Sequence, residues 1–233
     1  MRLALLKEFE LTRNNVEVPV SGGAQHLLAF LALSKRAVRR SHIAGTLWGD
    51  VPDERAAGNL RSAIWRLRQT GLDLLRVTGS HLCLSATVMV DIDELELIAR
   101  TVADPSASLV ALQLDAMPLG GELLPGWDDD WVLLERERQR QILLHVLDAL
   151  CERWTHERRF EEAVRAGFAA IASEPLRESS QRALIKAFIA EGNPSEALRH
   201  YWQYSQLLRS ELGLEPSPRI SELVARIGQV TAG

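Results

Sequence analysis

Hydrophobic and polar positions alternate from the start of the chain. Leu3, Leu5, Phe9 and Leu11 share one parity, and Val16, Val18 and Val20 the other, with Asn14-Asn15 between them. This predicts two strands joined by a tight turn, with Pro19 restricted to an edge because it has no N–H for the ladder. After Gly22-Gly23 the period becomes helical, and Leu27, Leu28, Leu31 and Ala32 form a stripe. The basic run Lys35-Arg36-Ala37-Val38-Arg39-Arg40 ends that helix. Ser41 is placed to N-cap a second, short helix with Ile43 and Leu47 inward. Gly49 and Pro52 break it, and Asp53 is placed to cap a third helix reaching Gln69.

The third helix carries chemistry. Leu60, Ile64 and Leu67 follow i, i+4, i+7 and predict its buried stripe. The opposite face presents Asn59, Ser62, Trp65 and Arg66, with Arg61 and Arg68 on the flanks. Arginine can bind guanine O6/N7 bidentately and asparagine adenine N6/N7, while flanking arginines hold phosphates. An amphipathic helix with a solvated arginine face fits the pattern equally well. The next segment of the chain favours the groove. Leu75 to Thr78 and His81 to Leu84 alternate on either side of Gly79-Ser80, a two-residue hairpin signal. Arg76, Thr78, Ser80 and His81 then stand at a polar tip, as in a winged helix-turn-helix. His81 has no cysteine or histidine at ligand spacing, so it reads as a phosphate-facing wing residue rather than a metal ligand.

From Asp91 onward the pattern is helical almost throughout. Glu162-Ala163-Val164-Arg165 recurs as Glu196-Ala197-Leu198-Arg199, Ala149-Leu150 as Ala183-Leu184, and Trp154 maps to Phe188, all at an offset of 34. That period of paired helices is the tetratricopeptide signature, with small alanines allowing close approach. Glu174-Pro175 and Gly192-Asn193-Pro194 supply the breaks. The fold class expected is mainly α with a small β component: a winged helix-turn-helix over residues 1–90, then a tetratricopeptide-like helical domain over 91–233.

Charge sharpens this division. Residues 1–90 hold 12 Lys/Arg against 7 Asp/Glu, a net of +5, and residues 91–233 hold 15 against 24, a net of −9. Only the first half suits a polyanion. Arginine outnumbers lysine 24 to 3, which reads as codon bias. Hydrophobic residues at 46% and charged residues at 25% exclude a disordered, collagen-like or disulfide-scaffold chain. No apolar run reaches a membrane span and no signal-peptide pattern opens the chain. Cys83 and Cys151 lie far apart and read as reduced core thiols. A phosphate loop, a nucleophile elbow, H-E-x-x-H and a metal-spaced Cys/His set are all absent, so the expectation is a non-enzyme without cofactor or metal.

Longer motifs carry a resemblance. Leu47-Trp48-Gly49-Asp50, Glu54-Arg55-Ala56 and Asn59-Leu60-Arg61-Ser62-Ala63-Ile64-Trp65-Arg66-Leu67-Arg68 resemble the effector domain of the Streptomyces antibiotic regulatory proteins (SARPs), the AfsR/DnrI/RedD type, whose winged helix is similar to that of OmpR. Gly121-Glu122-Leu123-Leu124-Pro125-Gly126, Trp131, Glu135-Arg136-Glu137-Arg138, Pro175-Leu176-Arg177-Glu178 and Glu211 to Pro218 resemble the bacterial transcriptional activator domain that follows it. The resemblance implies a recognition helix with Asn59, Ser62, Ala63 and Arg66 nearest the bases and Arg68 nearer the backbone. Where the commoner family version reads V-H-V-S-R-L-R, this chain reads R-S-A-I-W-R-L-R, so promoter preference does not transfer.

Together these give an expected DNA-contacting set of Arg39, Arg40, Ser41, Asn59, Arg61, Ser62, Ala63, Trp65, Arg66, Arg68, Arg76, Thr78, Ser80 and His81. By resemblance, the partners are double-stranded promoter DNA bound as direct repeats and the sigma subunit of RNA polymerase, with a homodimer also in view and no membrane. The loop Gly49 to Pro52 and the acidic helical domain are the polymerase-facing candidates. A cytoplasmic, nucleoid-associated bacterial activator of the two-domain kind is implied. The alternative is a tetratricopeptide-type adaptor that joins proteins without binding DNA. A small-molecule sensor lacks a convergent polar set. Asp128-Asp129-Asp130 reads as helix capping rather than metal binding, lacking a spaced third ligand. Trp127 and Trp131 read as core, and Tyr201, Trp202 and Tyr204 as repeat packing rather than a peptide groove. A fragment ending near Asp93 is expected to fold alone.

Overall fold

In the computed structural model, which describes residues 1–114, 117 and 121–230, the chain runs β1 (Arg2–Ala4), β2 (Glu10–Arg13), β3 (Val16–Glu17), α1 (Gly22–Ser34), β4 (Val38–Arg39), α2 (Arg40–Leu47), α3 (Asp53–Gln69), β5 (Leu75–Thr78), β6 (His81–Leu84), β7 (Met89–Val90), α4 (Asp91–Ala103), α5 (Asp130–His156), α6 (Phe160–Ser173), α7 (Glu178–Glu191), α8 (Pro194–Leu212) and α9 (Pro218–Val230). The last three residues of the expected second domain lie outside the described residues. The fold is mainly helical with a small β component, a winged helix-turn-helix and a helical repeat region. Packing divides it into two units, Met1–Leu95 with Gly120–Gln139, and Glu96–Leu119 with Arg140–Gly233.

The first alternating run is a hairpin, not the single strand expected. β1 and β2 pair antiparallel with Leu3 opposite Leu11, and the chain reverses through Lys7 at φ 77. Alternation concealed the turn because Leu3, Leu5 and Leu11 all still reach the core. β3 follows Asn14 and Asn15, both at positive φ, as the edge strand, and Pro19 lies just beyond it. β7 closes the other edge, parallel to β1. α1 is buried nearly all round because it is central: it packs on α2, α3 and β6.

Two helix starts differ from expectation. α2 begins at Arg40 with Arg39 as N-cap, so Ser41 lies inside the helix; the Arg40 N–H instead donates to Ser80 O (2.9 Å). α3 is capped by Pro52, and Asp53 is its first residue, where its charge still complements the helix dipole.

Residues from the sequence's second half complete the first unit. Leu123, Leu124 and Val132 are buried in its core, with Trp127 and Trp131 packed against it. The Leu124 N–H donates to Leu5 O (2.8 Å) and the Lys7 N–H to Glu122 O (2.9 Å). Gly121 makes this approach feasible: at φ 119, a Cβ there would collide with Lys7 Cγ. Arg136 Nε donates to Leu123 O (3.0 Å), and its Nη2 to Leu124 O (2.8 Å) and Trp127 O (3.1 Å). Trp127 stacks on His26 at 4.0 Å and meets Trp131 edge-on, while His26 Nε2 lies 3.4 Å from Asp129. The expectation that a fragment ending near Asp93 holds a complete core is therefore overturned.

Asp91 ties the end of β7 to β1. Only 5% exposed, it accepts the N–H of Leu5 and Leu6 at Oδ2 and of Ile92 at Oδ1, each at 2.9 Å. Burial pushes its carboxyl above the ordinary 3.8, against the pull of those N–H groups. The folded chain thus holds this proton more tightly than the unfolded chain. The resulting stability is complete below about pH 3.8 and is lost as pH rises through the folded value. Asp91→Asn should remove that segment from a plot of urea midpoint against pH. An unchanged slope would mean that Asp91 titrates alike in both states.

In the second unit α6 packs on α7, α7 on α8, and α9 on α7 and α8. Close approach uses the small residues: Ala163, Ala166, Ala170, Ala183 and Ala197 are buried. A Cβ on Gly167 would meet Leu184 Cδ1 at 3.0 Å and Cys151 Sγ at 3.3 Å. Trp154 and Phe188, the pair at the 34-residue offset, are both core. Gly192 in the left-handed region ends α7, and Pro194 opens α8. Arg153 Nη1 donates to Val102 O (3.1 Å) and Asp104 O (2.8 Å), pinning the chain after α4. Tyr204 is buried, Tyr201 packs edge-on to Trp202, and Trp202 itself is 60% exposed. Cys151 is core, its thiol pushed up to about 12 by burial and then by Asp148 and Glu152. Cys83 is only half-buried, a correction to the two-core-thiol reading.

Candidate nucleic-acid interface

α3 folds as its periodicity requires. Ala56, Leu60, Ala63, Ile64 and Leu67 face the core, and Arg61, Ser62, Trp65, Arg66 and Arg68 are exposed. Asn59 is half-buried. Ala63, expected near the bases, is 4% exposed and belongs to the core side, so it has no reach to a base edge. It lies toward Leu60 and Leu67 on the helix and reaches the surface only as lining of a cleft beside Ala24 of α1.

Asn59, Ser62 and Arg66 line a cleft of about 230 Å³ with Ser21, Gly23 and Trp48, at the N-terminus of α1. Ser21 Oγ is buried there without a partner among the described residues. On the other flank Arg61 lies over a cleft of about 390 Å³ that includes Arg40, Ser41 and Gly45 of α2. Arg66 and Arg61 therefore face different sides of the helix, as the sequence placed them.

The hairpin forms with the expected two-residue turn. β5 and β6 pair with Thr78 opposite His81, and Gly79 at φ 57 takes the left-handed position. β4 adds to the free edge of β6, with Arg39 opposite His81 and Val38 opposite Leu82. Paired residues point to the same face of a sheet. Val38, Val77 and Leu82 take one face, with Leu82 fully buried, so Arg39, Arg76, Thr78, His81 and Cys83 share the other. Arg40 follows beside Ser80. The short strand β4 was not legible in the sequence, yet it is what gathers the basic run of residues 35–40 onto the wing.

Arg39, Arg40, Arg61, Arg66, Arg68 and Arg76 form no ion pair among the described residues, so no carboxylate neutralises them. Arg158, Arg182 and Arg219 of the helical region are likewise without one, so the missing ion pairs alone do not mark the surface. The first packing unit holds 14 Lys/Arg against 16 Asp/Glu, a net of −2, because residues 91–95 and 120–139 add acid. Any attraction for a polyanion thus comes from where the arginines stand, not from the unit's net charge. Among the described residues there is no cluster suited to a metal ion and no helix long and apolar enough to cross a membrane.

Residues 103–228 match the model of the bacterial transcriptional activator domain. The chain is 28% identical over 215 residues to the regulatory protein AfsR of Streptomyces coelicolor and 26% identical over 222 residues to that of Streptomyces griseus. Those matches cover 87% and 91% of this chain, which spans only 21% and 23% of the two proteins' lengths. The structure of Mycobacterium tuberculosis EmbR in complex with a low-affinity phosphopeptide superposes with a TM-score of 0.74 at 21% identity, over 98% of this chain and 65% of that one.

Proposed function

The chain belongs to the bacterial transcriptional activator domain family and is a SARP-type regulator; on that premise we propose that it binds promoter DNA sequence-specifically and activates transcription. α3 enters the major groove, where Asn59, Ser62 and Arg66 meet base edges and Arg61 and Arg68 hold phosphates. The wing face of Arg39, Arg76, Thr78 and His81, with Arg40, Ser41 and Ser80, tracks the neighbouring backbone. The observation that carries this reading is an exposed α3 bearing Arg61, Arg66 and Arg68 beside a wing face shared by Arg39 and Arg76, none of them held by a carboxylate among the described residues. The division of labour is residues 1–90 for DNA, with 120–139 completing their core, and the rest of 91–233 for protein partners. The loop from Gly49 to Pro52 and the acidic helical region are the surfaces offered to RNA polymerase, its sigma subunit by family resemblance, or to a second copy of the chain. A protein-joining adaptor is favoured only by the net −2 of the first unit. Mapping of chromatin-bound sites across the genome tests the proposal: discrete promoter peaks are expected, and an even background would refute it.

Arg66 and Arg61 separate specificity from affinity. Arg66→Ala should cost about 1–3 kcal/mol on a selected site and relax preference at one base position. Arg61→Ala should weaken all sequences alike and lower the salt slope by about 1. Equal, sequence-independent losses for both would reverse the assignment of the groove-facing side.

A further inference from the structure

The outermost line of α3 is uneven in a way that points to a base. Gly58, Ser62 and Trp65 stand furthest from its buried side, since each lies roughly half a turn from Leu60 and Leu67. Gly58 and Ser62 are small, so a groove can approach the helix closely there. Trp65 projects from that line at 61% exposure and is the one large exposed hydrophobic side chain on α3 among the described residues. It has no ring partner and no hydrogen bond among the described residues, and Arg61 does not lie over its ring. A tryptophan left bare between unpaired arginines has no folding role to account for it.

We propose that Trp65 is a specificity-determining residue that reads the C5-methyl group of a thymine. The inference rests on the DNA-binding reading above and extends it to the identity of one base. The four base pairs expose donors and acceptors in the major groove, and thymine alone adds an apolar group. Apart from one N–H, the indole offers only apolar surface, so the thymine methyl is the complementary edge. Contact there removes both from water.

The test uses the full chain and a duplex selected from a random pool. Each thymine in that site is replaced in turn by deoxyuridine, which deletes the methyl and leaves base pairing intact. At one position per half-site the replacement should weaken the wild-type chain about fourfold, the worth of one buried methyl group. Trp65→Ala should bind the thymine site about as the wild type binds the uracil site, and should no longer distinguish the two. Trp65→Phe should keep part of the discrimination. Because Trp65 is exposed, these variants should unfold at the wild-type temperature. Equal wild-type affinity for every thymine and uracil site would overturn the proposal even if Trp65→Ala weakens binding. So would a uracil penalty that survives in Trp65→Ala, since another residue would then read the methyl. Failure of the pool to yield any retained duplex would instead overturn the DNA-binding reading on which this one stands.

Discussion

A fragment of residues 1–93 is expected to lose the cooperative unfolding transition that a fragment of residues 1–139 retains. The shorter one contains all seven predicted strand and helix segments of the winged helix, yet it leaves the core open. Leu123, Leu124 and Val132 are missing from it, as are the two backbone hydrogen bonds that residues 122 and 124 make with Lys7 and Leu5. Full burial of such a side chain is worth about 1.5–3 kcal/mol, so three together contribute roughly 5–9 kcal/mol. That rivals the whole stability of an ordinary domain, about 5–15 kcal/mol. Circular dichroism during urea titration separates the two fragments. A sharp transition in the 1–93 fragment, at the midpoint of the longer one, would show that residues 120–139 only decorate the first unit.

Trp154→Ala should cripple the helical repeat region while leaving DNA binding in place. Trp154 is fully buried, is the largest such side chain, and carries Arg159 over its ring at 5.1 Å. Truncation of a buried tryptophan costs about 3–5 kcal/mol, and loss of the cation–π contact adds to that. In a region of this size each kcal/mol lowers the melting temperature by about 3–5 °C. A calorimetric transition should therefore fall by more than about 9 °C, with reporter transcription lost and affinity for a selected duplex kept. Loss of DNA affinity in step with transcription would contradict the separate roles given to the two regions.

Local signals in the sequence were faithful where the structure depends on neighbours along the chain. The Gly79-Ser80 hairpin, the span of α3 and its Leu60, Ile64 and Leu67 stripe could be read directly, because turn chemistry and helical period are local. The helical pairing of the second unit was legible because the same residue types recur after 34 residues. Contacts between distant segments were not. The turn at Lys7 depends on Gly121 and Glu122 more than a hundred residues later, so alternation alone extended one strand through it. Trp127 and Trp131, whose spacing suggested core, are only partly buried, and they pack against the core of the first unit rather than among the repeats. Family resemblance set Ala63 near the bases, whereas its own angular position beside Leu60 and Leu67 already placed it inward. The gathering of Arg39 beside His81 needed β4, and a two-residue strand inside a basic run has no pattern to betray it.

Salt dependence of binding by the full chain tests the central claim most directly. Affinity for a selected duplex and for a mixed-sequence duplex should be measured from about 50 to about 200 mM salt. If the unpaired arginines of α3 and the wing meet phosphates, log affinity for both should fall linearly with log salt, by about 0.9 for each phosphate neutralised. The selected site should stay at least about a thousandfold tighter at physiological salt. A flat line, or equal affinity for both duplexes at every salt concentration, would leave a protein-joining adaptor and no sequence-specific DNA-binding regulator.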